Sequence, residues 1–377
     1  MTTNNQADAN TSGSSHGDAA KPPLGTFTTL FRLALIGFAL AAVAGTFAYL
    51  GGWLSPNELT PARFADGFEQ VNGIHTGFRR NHAKGVDVYG FFESNGNGVR
   101  LSKADVFRPG RIPVIGRFSL GGGQPYVVDR PDIVRGLGLQ FALPDGEYWR
   151  TAMINLPVFP MRTPQAFYEQ LLASKPAPTT GKPDPAKMQA FLASHPETQA
   201  ALKIIKSQPP SSGFDNSTFH SLNAFWFVSA TGISVPVRWI LTPIQPFETA
   251  SMASTSPDKN YLFDALIAQI HHQPLRWDLV IIVGQPGDPI NDATIPWPAE
   301  RQHMDVGTVT LDRAESDDTG AARDINFDPL VLPAGIEPSD DPLLSARSAV
   351  YSQSFTRRAG EQKQPGAIMP ADVQKGE

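Results

Sequence analysis

Hydrophobic and polar positions along this chain change rhythm three times. From Leu33 to Leu54 there are 22 residues without a charge, dense in Ala, Leu, Phe and Val. From about residue 85 onward, short runs alternate or are wholly apolar, the signature of strands with one or two buried faces. These runs predict strands over Gly85 to Glu93, Ile112 to Ser119, Gly136 to Leu143, Asn223 to Ser229, Val235 to Leu241, Leu275 to Val283 and Val306 to Leu311. The fourth and fifth read as a hairpin around Thr231-Gly232. Helical periodicity appears over Pro164 to Ser174, Pro185 to His195 and Asn260 to His271. Asp341-Pro342 opens another helix, with an acid at the cap and Pro in the first turn.

About eight antiparallel strands with helical insertions predict an α+β, mainly β fold: a closed eight-stranded barrel with peripheral helices. The stretches 176–185 and 209–212 are Pro- and Ser-rich and read as surface loops. Residues 1–27 are polar and predict a disordered start, and the tail over 359–377 reads the same way. The remaining body, 57–358, is one domain.

The apolar segment, taken as 28–54, is long enough to cross a bilayer as a single transmembrane helix. Lys21 and Arg32 precede it and Glu58 is the first acid after it. That bias puts the N-terminus in the cytoplasm and the body on the periplasmic side of the inner membrane. Ala42-Val43-Ala44 also suits signal-peptide cleavage. The apolar run continues through Phe47, Leu50 and Trp53, which favours a retained single-pass anchor.

Composition narrows the chemistry. The 377 residues contain no Cys, which excludes disulfides, thiolate catalysis and Cys-ligated metals. A net charge of −5, with no Lys/Arg-rich run, gives no general attraction to nucleic acid. The 34 Pro and 33 Gly fit strands joined by turns and long loops.

Two segments about 270 residues apart carry the functional signal. The first is Arg79-Arg80-Asn81-His82-Ala83-Lys84-Gly85, followed by Tyr89-Gly90-Phe91-Phe92-Glu93. The second is Arg347-Ser348-Ala349-Val350-Tyr351, followed by Arg358. A lone His or a lone Arg-x-x-x-Tyr is usually structural. Together, in this order, the two segments resemble the catalase family's distal His motif and its proximal Tyr backed by Arg. Arg117-Phe118-Ser119, the stretch from Asp129 to Leu137, Pro157-Val158-Phe159 with Phe167, Trp297-Pro298, Val306-Gly307 with Leu311-Asp312-Arg313, Phe327-Asp328-Pro329 and Pro333 to Glu337 resemble further segments of the family in sequence order. The resemblance covers roughly residues 60 to 358 and is similar to the small catalase-related peroxidase group.

The resemblance implies a ferric haem with Tyr351 as its axial tyrosinate, Arg347 stabilising the phenolate, and Arg79, Arg117 and Arg358 on the propionates. It implies His82 as the acid–base group, Ser119 holding the imidazole, and Phe159 and Phe167 walling a dry pocket. The family's distal amide aligns with Ile154, and a one-residue shift would deliver Asn155 in that role. Asn81, where the family has a small aliphatic residue, is expected to compete for the imidazole. The implied activity is a haem-dependent peroxidase reducing hydrogen peroxide or organic hydroperoxides with a small-molecule electron donor, and with weak catalase activity. The alternatives are a lipid hydroperoxide isomerase or lyase, and a non-catalytic membrane-tethered haem carrier. The apolar segment stands where the family has an arm threading between subunits, so an interlocked tetramer is not expected.

Overall fold

The computed structural model describes residues 25–50, 58–251 and 258–374. The expectation of disorder at 1–24 and 375–377 lies outside the described residues. The chain divides into two units, residues 1–58 and 59–377. The first contains α1 (Thr26–Leu50), a 25-residue helix long and apolar enough to cross a membrane. A signal sequence meets the same requirement.

The second unit is built on a barrel. Its strands are β1 (Gly85–Ser94), β2 (Gly110–Leu120), β3 (Arg135–Ala142), β4 (Tyr148–Ile154), β5 (Phe219–His220), β6 (Phe225–Val228), β7 (Ser234–Pro243), β8 (Leu275–Val283), β9 (Gln302–Ser316) and β10 (Ile336–Pro338). The order β7-β5-β4-β3-β2-β1-β9-β8 closes on itself through a β7–β8 pairing, giving eight antiparallel strands in a ring. β6 and β10 extend from β7 outside that ring. The hairpin at Thr231-Gly232 joins β6 and β7, with Gly232 at φ 83°. Closure removes the exposed edges an open sheet would carry.

Alternation fills the interior with aromatic side chains. Phe118, Phe141, Trp149, Trp239 and Trp277 are all essentially inaccessible. Phe141 stacks on Trp149 at 4.8 Å, and Trp149 meets Trp239 edge-on at 5.2 Å. Such pairs add to the burial energy of large rings. Trp239 Nε1 donates to Thr151 Oγ1 at 3.0 Å, so that indole N–H is satisfied inside the barrel.

Helices pack around the barrel: α2 (Pro61–Asn72), α3 (Pro164–Ala173), α4 (Pro185–Ser194), α5 (Pro196–Lys206), α6 (Tyr261–His272), α7 (Pro342–Ala359) and α8 (Pro370–Gln374). Four of these starts share one device. Thr60, Thr163, Asp184 and Asp341 each accept a bond from a first-turn N–H, and each is followed by Pro. The cap satisfies an orphan donor and Pro pre-sets the helical φ.

The tail differs from its sequence expectation. Ile368 and Val373 are buried in the main core. Ser316 Oγ donates to Ile368 O at 2.6 Å, and Tyr126 Oη to Pro365 O at 2.7 Å. Residues 359–374 are therefore packed onto the barrel. Their polar composition hid this, because the attachment is made by two apolar residues, by backbone carbonyls and by the Glu361 carboxylate, which accepts from Arg80 and from Gly77 N.

Candidate active site

Strands β2, β3 and β4 build the floor of a cavity of about 550 Å³, and α2, α3 and α7 contribute to its walls. Register arranges the floor in two rows. One runs Gly85, Ser119, Gly136, Ile154 across β1 to β4, and the next runs Asp87, Arg117, Gly138, Ala152. Successive side chains alternate faces, so Phe118, Leu137 and Met153 enter the barrel core. Gly136 and Gly138 lack side chains on the outer face, and the His82 and Phe327 rings approach the strands there.

His82 lies in the turn before β1, at φ 57°. That left-handed conformation is uncommon for a residue with a side chain and needs support. Asn81 supplies it: its Oδ1 accepts from His82 N at 3.1 Å and from Gly122 N at 2.8 Å. The Asn81 oxygen is thus engaged by the backbone and not by the imidazole, contrary to the expectation that it competes for the ring. The Gly121-Gly122-Gly123 loop joins the same staple, with Ala83 N donating to Gly122 O at 3.0 Å.

The His82 ring is positioned on both sides. Its Nδ1 meets Ser119 Oγ at 3.1 Å, and a Cβ at position 136 would lie 3.0 Å from ring atoms Nδ1 and Cε1. Gly136 is therefore required by close approach. Burial, with Arg117, Arg79 and Arg347 adding to it, pushes the imidazole down to about 3. His82 is neutral at physiological pH, the form that accepts a proton.

Tyr351 lines the same cavity from α7. Arg347 sits one turn before it, with its guanidinium 5.8 Å from the phenol ring centre. Arg347 is fixed by Asn223 Oδ1 and by Ala152 O, the latter at 2.7 Å. Asn223 Nδ2 in turn donates to Asp341 Oδ2 at 2.8 Å. The cap residue of α7 thereby orients the arginine beside Tyr351.

Arg79, Arg117 and Arg358 also line the cavity. Arg117 forms a bidentate pair with Asp317, at 2.8 and 2.6 Å. Among the described residues, Arg79 bonds carbonyl oxygens alone: Ala322, Arg323 and Ile325, at 2.8, 3.3 and 3.0 Å. Arg358 donates to Arg323 O at 3.2 Å. Burial, then the other two guanidiniums, pushes Arg79 well below the usual arginine range. Burial and Arg117 push Arg358 down to about 10. Buried cations without carboxylates are costly, and an entering dianion relieves that cost.

Phe159 and Phe167 meet edge-on at 5.4 Å on the cavity wall. Phe64 and Phe68 of α2 extend the wall, Phe64 lying 5.3 Å from Phe167. The i, i+4 spacing of Phe64 and Phe68 was the available sequence signal for them. Asp317, Asn223 and Gly136 gave no comparable signal. Asn155 requires correction. Its Oδ1 accepts from Arg135 N at 2.8 Å and its N donates to Arg135 O at 3.0 Å. It caps the start of β3, and Ile154 lines the cavity instead. The reason is register: pairing with Gly136 puts position 154 on the outer face, so 155 cannot reach it.

A family model for catalase matches residues 59–367. The chain belongs to the catalase family. A catalase-related peroxidase from Synechococcus elongatus is 38% identical over 324 residues, covering 86% of this chain and 96% of the relative. Another, from Mycolicibacterium paratuberculosis, is 32% identical over 305 residues, covering 80% and 96%. A solved bacterial catalase superposes with a TM-score of 0.68 at 22% identity, over 76% of this chain and 58% of that one. Catalase A from Saccharomyces cerevisiae gives 0.69 at 21% identity, over 76% and 62%. The chain spans about three-fifths of the length of these solved catalases.

The catalase family and fold imply haem. The residues present fit it. The cavity is largely apolar, and among the described residues the Arg79 and Arg358 guanidiniums that line it bond carbonyl oxygens and no carboxylate.

Proposed function

We propose that this catalase-family member is a haem peroxidase, an oxidoreductase that reduces hydrogen peroxide or organic hydroperoxides with electrons from a small-molecule donor. One observation carries the reading: a neutral, doubly positioned His82 shares its cavity with Tyr351, Arg347 and three further arginines. The names of the two curated relatives support it.

Arg79, Arg117 and Arg358 would hold the haem carboxylates, Tyr351 would ligate its iron, and Arg347 would stabilise the phenolate. Bound haem supplies the redox chemistry that breaks the peroxide O–O bond. His82 does the proton work. With Nδ1 donating to Ser119, its Nε2 is the free base. It takes the proton from one peroxide oxygen and returns it to the other, which leaves as water or alcohol. Phe159 and Phe167 keep water from competing for that proton. In all, one peroxide, two electrons and two protons give one alcohol and one water.

Ile154 occupies the cavity where the family carries an amide, and this has two consequences. It leaves the hydrogen-bonding of a second peroxide molecule to His82 alone, which supports weak catalase activity. It also favours apolar substituents, which supports a second reading as a lipid hydroperoxide isomerase or lyase. The apolar helix supports anchoring in the inner membrane with the catalytic domain in the periplasm, and assembly other than as an interlocked tetramer.

The purified protein's visible spectrum is the first test, followed by turnover with peroxide alone, peroxide plus donor, and a fatty-acid hydroperoxide. Donor-dependent turnover is expected to dominate. Rearrangement without a donor would select the second reading, and haem without turnover would select a carrier. Tyr351→Phe is expected to lose haem while remaining folded. Full haem content with an unchanged ferric spectrum would overturn the axial assignment.

A further inference from the structure

Behind Arg117 lies a pair of carboxyl groups that the reaction does not use. Asp87 stands beside Arg117 in the cross-strand register, and Asp317 follows the end of β9. Both are buried. Asp87 is the register partner of Arg117, and Arg117 holds Asp317, so the two carboxyl groups meet at one guanidinium. Two buried carboxylates side by side repel, and one of them keeps its proton.

The neighbouring bonds say where the proton sits. Both Asp317 oxygens accept from Arg117, at 2.8 and 2.6 Å. Asp87 Oδ2 accepts from Ala322 N at 2.7 Å and from Arg323 N at 3.3 Å. Asp87 Oδ1 is buried and has no donor. An orphaned acceptor is costly, whereas protonation turns that atom into a donor beside the Asp317 carboxylate. Gly320 permits this packing, since a Cβ there would stand 2.7 Å from Asp87 Cγ.

Resting on the haem reading above, we propose that Asp87 and Asp317 are positioning residues of the cofactor cradle. Asp87 is a neutral acid donating from Oδ1, and Asp317 is the anion that orients Arg117. Three guanidiniums and one carboxylate leave two positive charges, the complement of the two haem carboxylates. An ionised Asp87 would lower that to one.

The charged groups facing the pair are Arg117 from β2, Arg79 from the turn before β1, Arg358 from α7, and Tyr89 and Glu315 along the neighbouring strands. Burial, then the Asp317 carboxylate, pushes Asp87 up to about 9. Burial opposes ionisation of Asp317, but Arg117 holds it below the usual carboxylate range. The sign follows. Asp87 carries its proton below about 9 and loses it above, so the cradle weakens as pH rises through that value.

Two measurements on the haem-loaded full chain test this. Infrared spectra at pH 7 are expected to show a protonated-carboxyl C=O band that disappears in Asp87→Asn. Asp87→Glu, which keeps the acid, is expected to shift the band, and serves if the Asn variant fails to accumulate. A band unaffected by both substitutions would overturn the proposal. Transfer of haem to an apomyoglobin acceptor is expected to accelerate roughly tenfold between pH 7 and pH 10 in the wild type. The acceleration is expected to be smaller in Asp87→Asn, whose amide still donates to Asp317 and which loses only the charge that Arg358, pushed down to about 10, gives up near the top of the range. Equal acceleration in both proteins would overturn the charge matching. Purification of a protein that binds no haem would instead overturn the functional reading, and the infrared band would still judge the proton.

Discussion

The two faces of β2, β3 and β4 follow opposite rules. Inside the barrel, Phe118, Phe141 and Trp149 interlock with Trp239 and Trp277. One residue away along the same strands, the outer face presents Arg117, Ser119, Gly136, Gly138 and Ala152. The inner face carries large apolar volume, and the outer face carries charged and small residues against which the His82 and Phe327 rings pack. The barrel thus supplies a rigid platform, and its outer side is where the chemistry is mounted. Pleating is the cause: alternate residues of one strand belong to different environments.

Four substitutions test that division. The largest effect is expected from His82→Ala. Loss of the proposed acid–base group is predicted to slow the reaction with peroxide by about 10²–10⁴-fold with the fold and haem content retained, measured by rapid mixing. Because His82 is held down to about 3, chiefly by burial and then by Arg117, the wild-type rate is expected to be flat from pH 5 to pH 8. A drop near the ordinary imidazole value would contradict that environment. The stability sign is that of any group whose folded value is depressed. The unfolded chain takes up this proton near the ordinary value and the folded one near 3. Stability contributed here is therefore lost as pH falls between them, and His82→Ala should blunt part of the acid destabilisation.

On the inner face, Trp149→Ala is predicted to cost about 3–5 kcal/mol of stability, as measured by denaturant titration. The fraction that remains folded should react with peroxide at the wild-type rate. A large rate loss there would mean that the two faces are not separable.

Gly136→Ala sharpens the comparison to one methyl group. A Cβ would meet Ser119 Oγ at 2.9 Å and the His82 ring at 3.0 Å, so the ring must shift. A loss of roughly tenfold in rate is expected, with little change in melting temperature, because positioning and not packing is disturbed. An unchanged rate would show that the ring has slack. Asn81→Val is the smallest case. It removes two hydrogen bonds to backbone N–H groups, of about 1 kcal/mol each, and is expected to lower stability without raising oxygen release. Increased oxygen release would restore the expectation that Asn81 restrains the imidazole.

Much of the site was legible along the chain. His82, Ser119, Arg79, Arg117, Phe159, Phe167, Arg347, Tyr351 and Arg358 all line one cavity. Tyr351 and Arg347 are four apart on α7, a spacing that holds in any helix. Arg117 and Ser119 are two apart on β2, a spacing that puts them on one face of any strand. Asn155 failed because its direction depends on β3–β4 register, which one strand cannot disclose. The same holds for β5 and β10, strands of two and three residues that exist through their partners.

The sequence by itself determined the periodicities: an apolar helix at the front, the main strands, the capped helices, and the residue types that a haem site needs. These are local properties, set by side-chain spacing and cap chemistry within a few residues. The tertiary structure alone decided which acids meet which arginines, that Asn81 holds a backbone turn, that Gly136 yields space to the imidazole, and that the polar tail is bound to the barrel. Each depends on groups tens to hundreds of residues apart being brought within hydrogen-bond range, and on burial that changes their protonation. Those energies come from closure of the barrel, and no segment of the chain carries them before it closes.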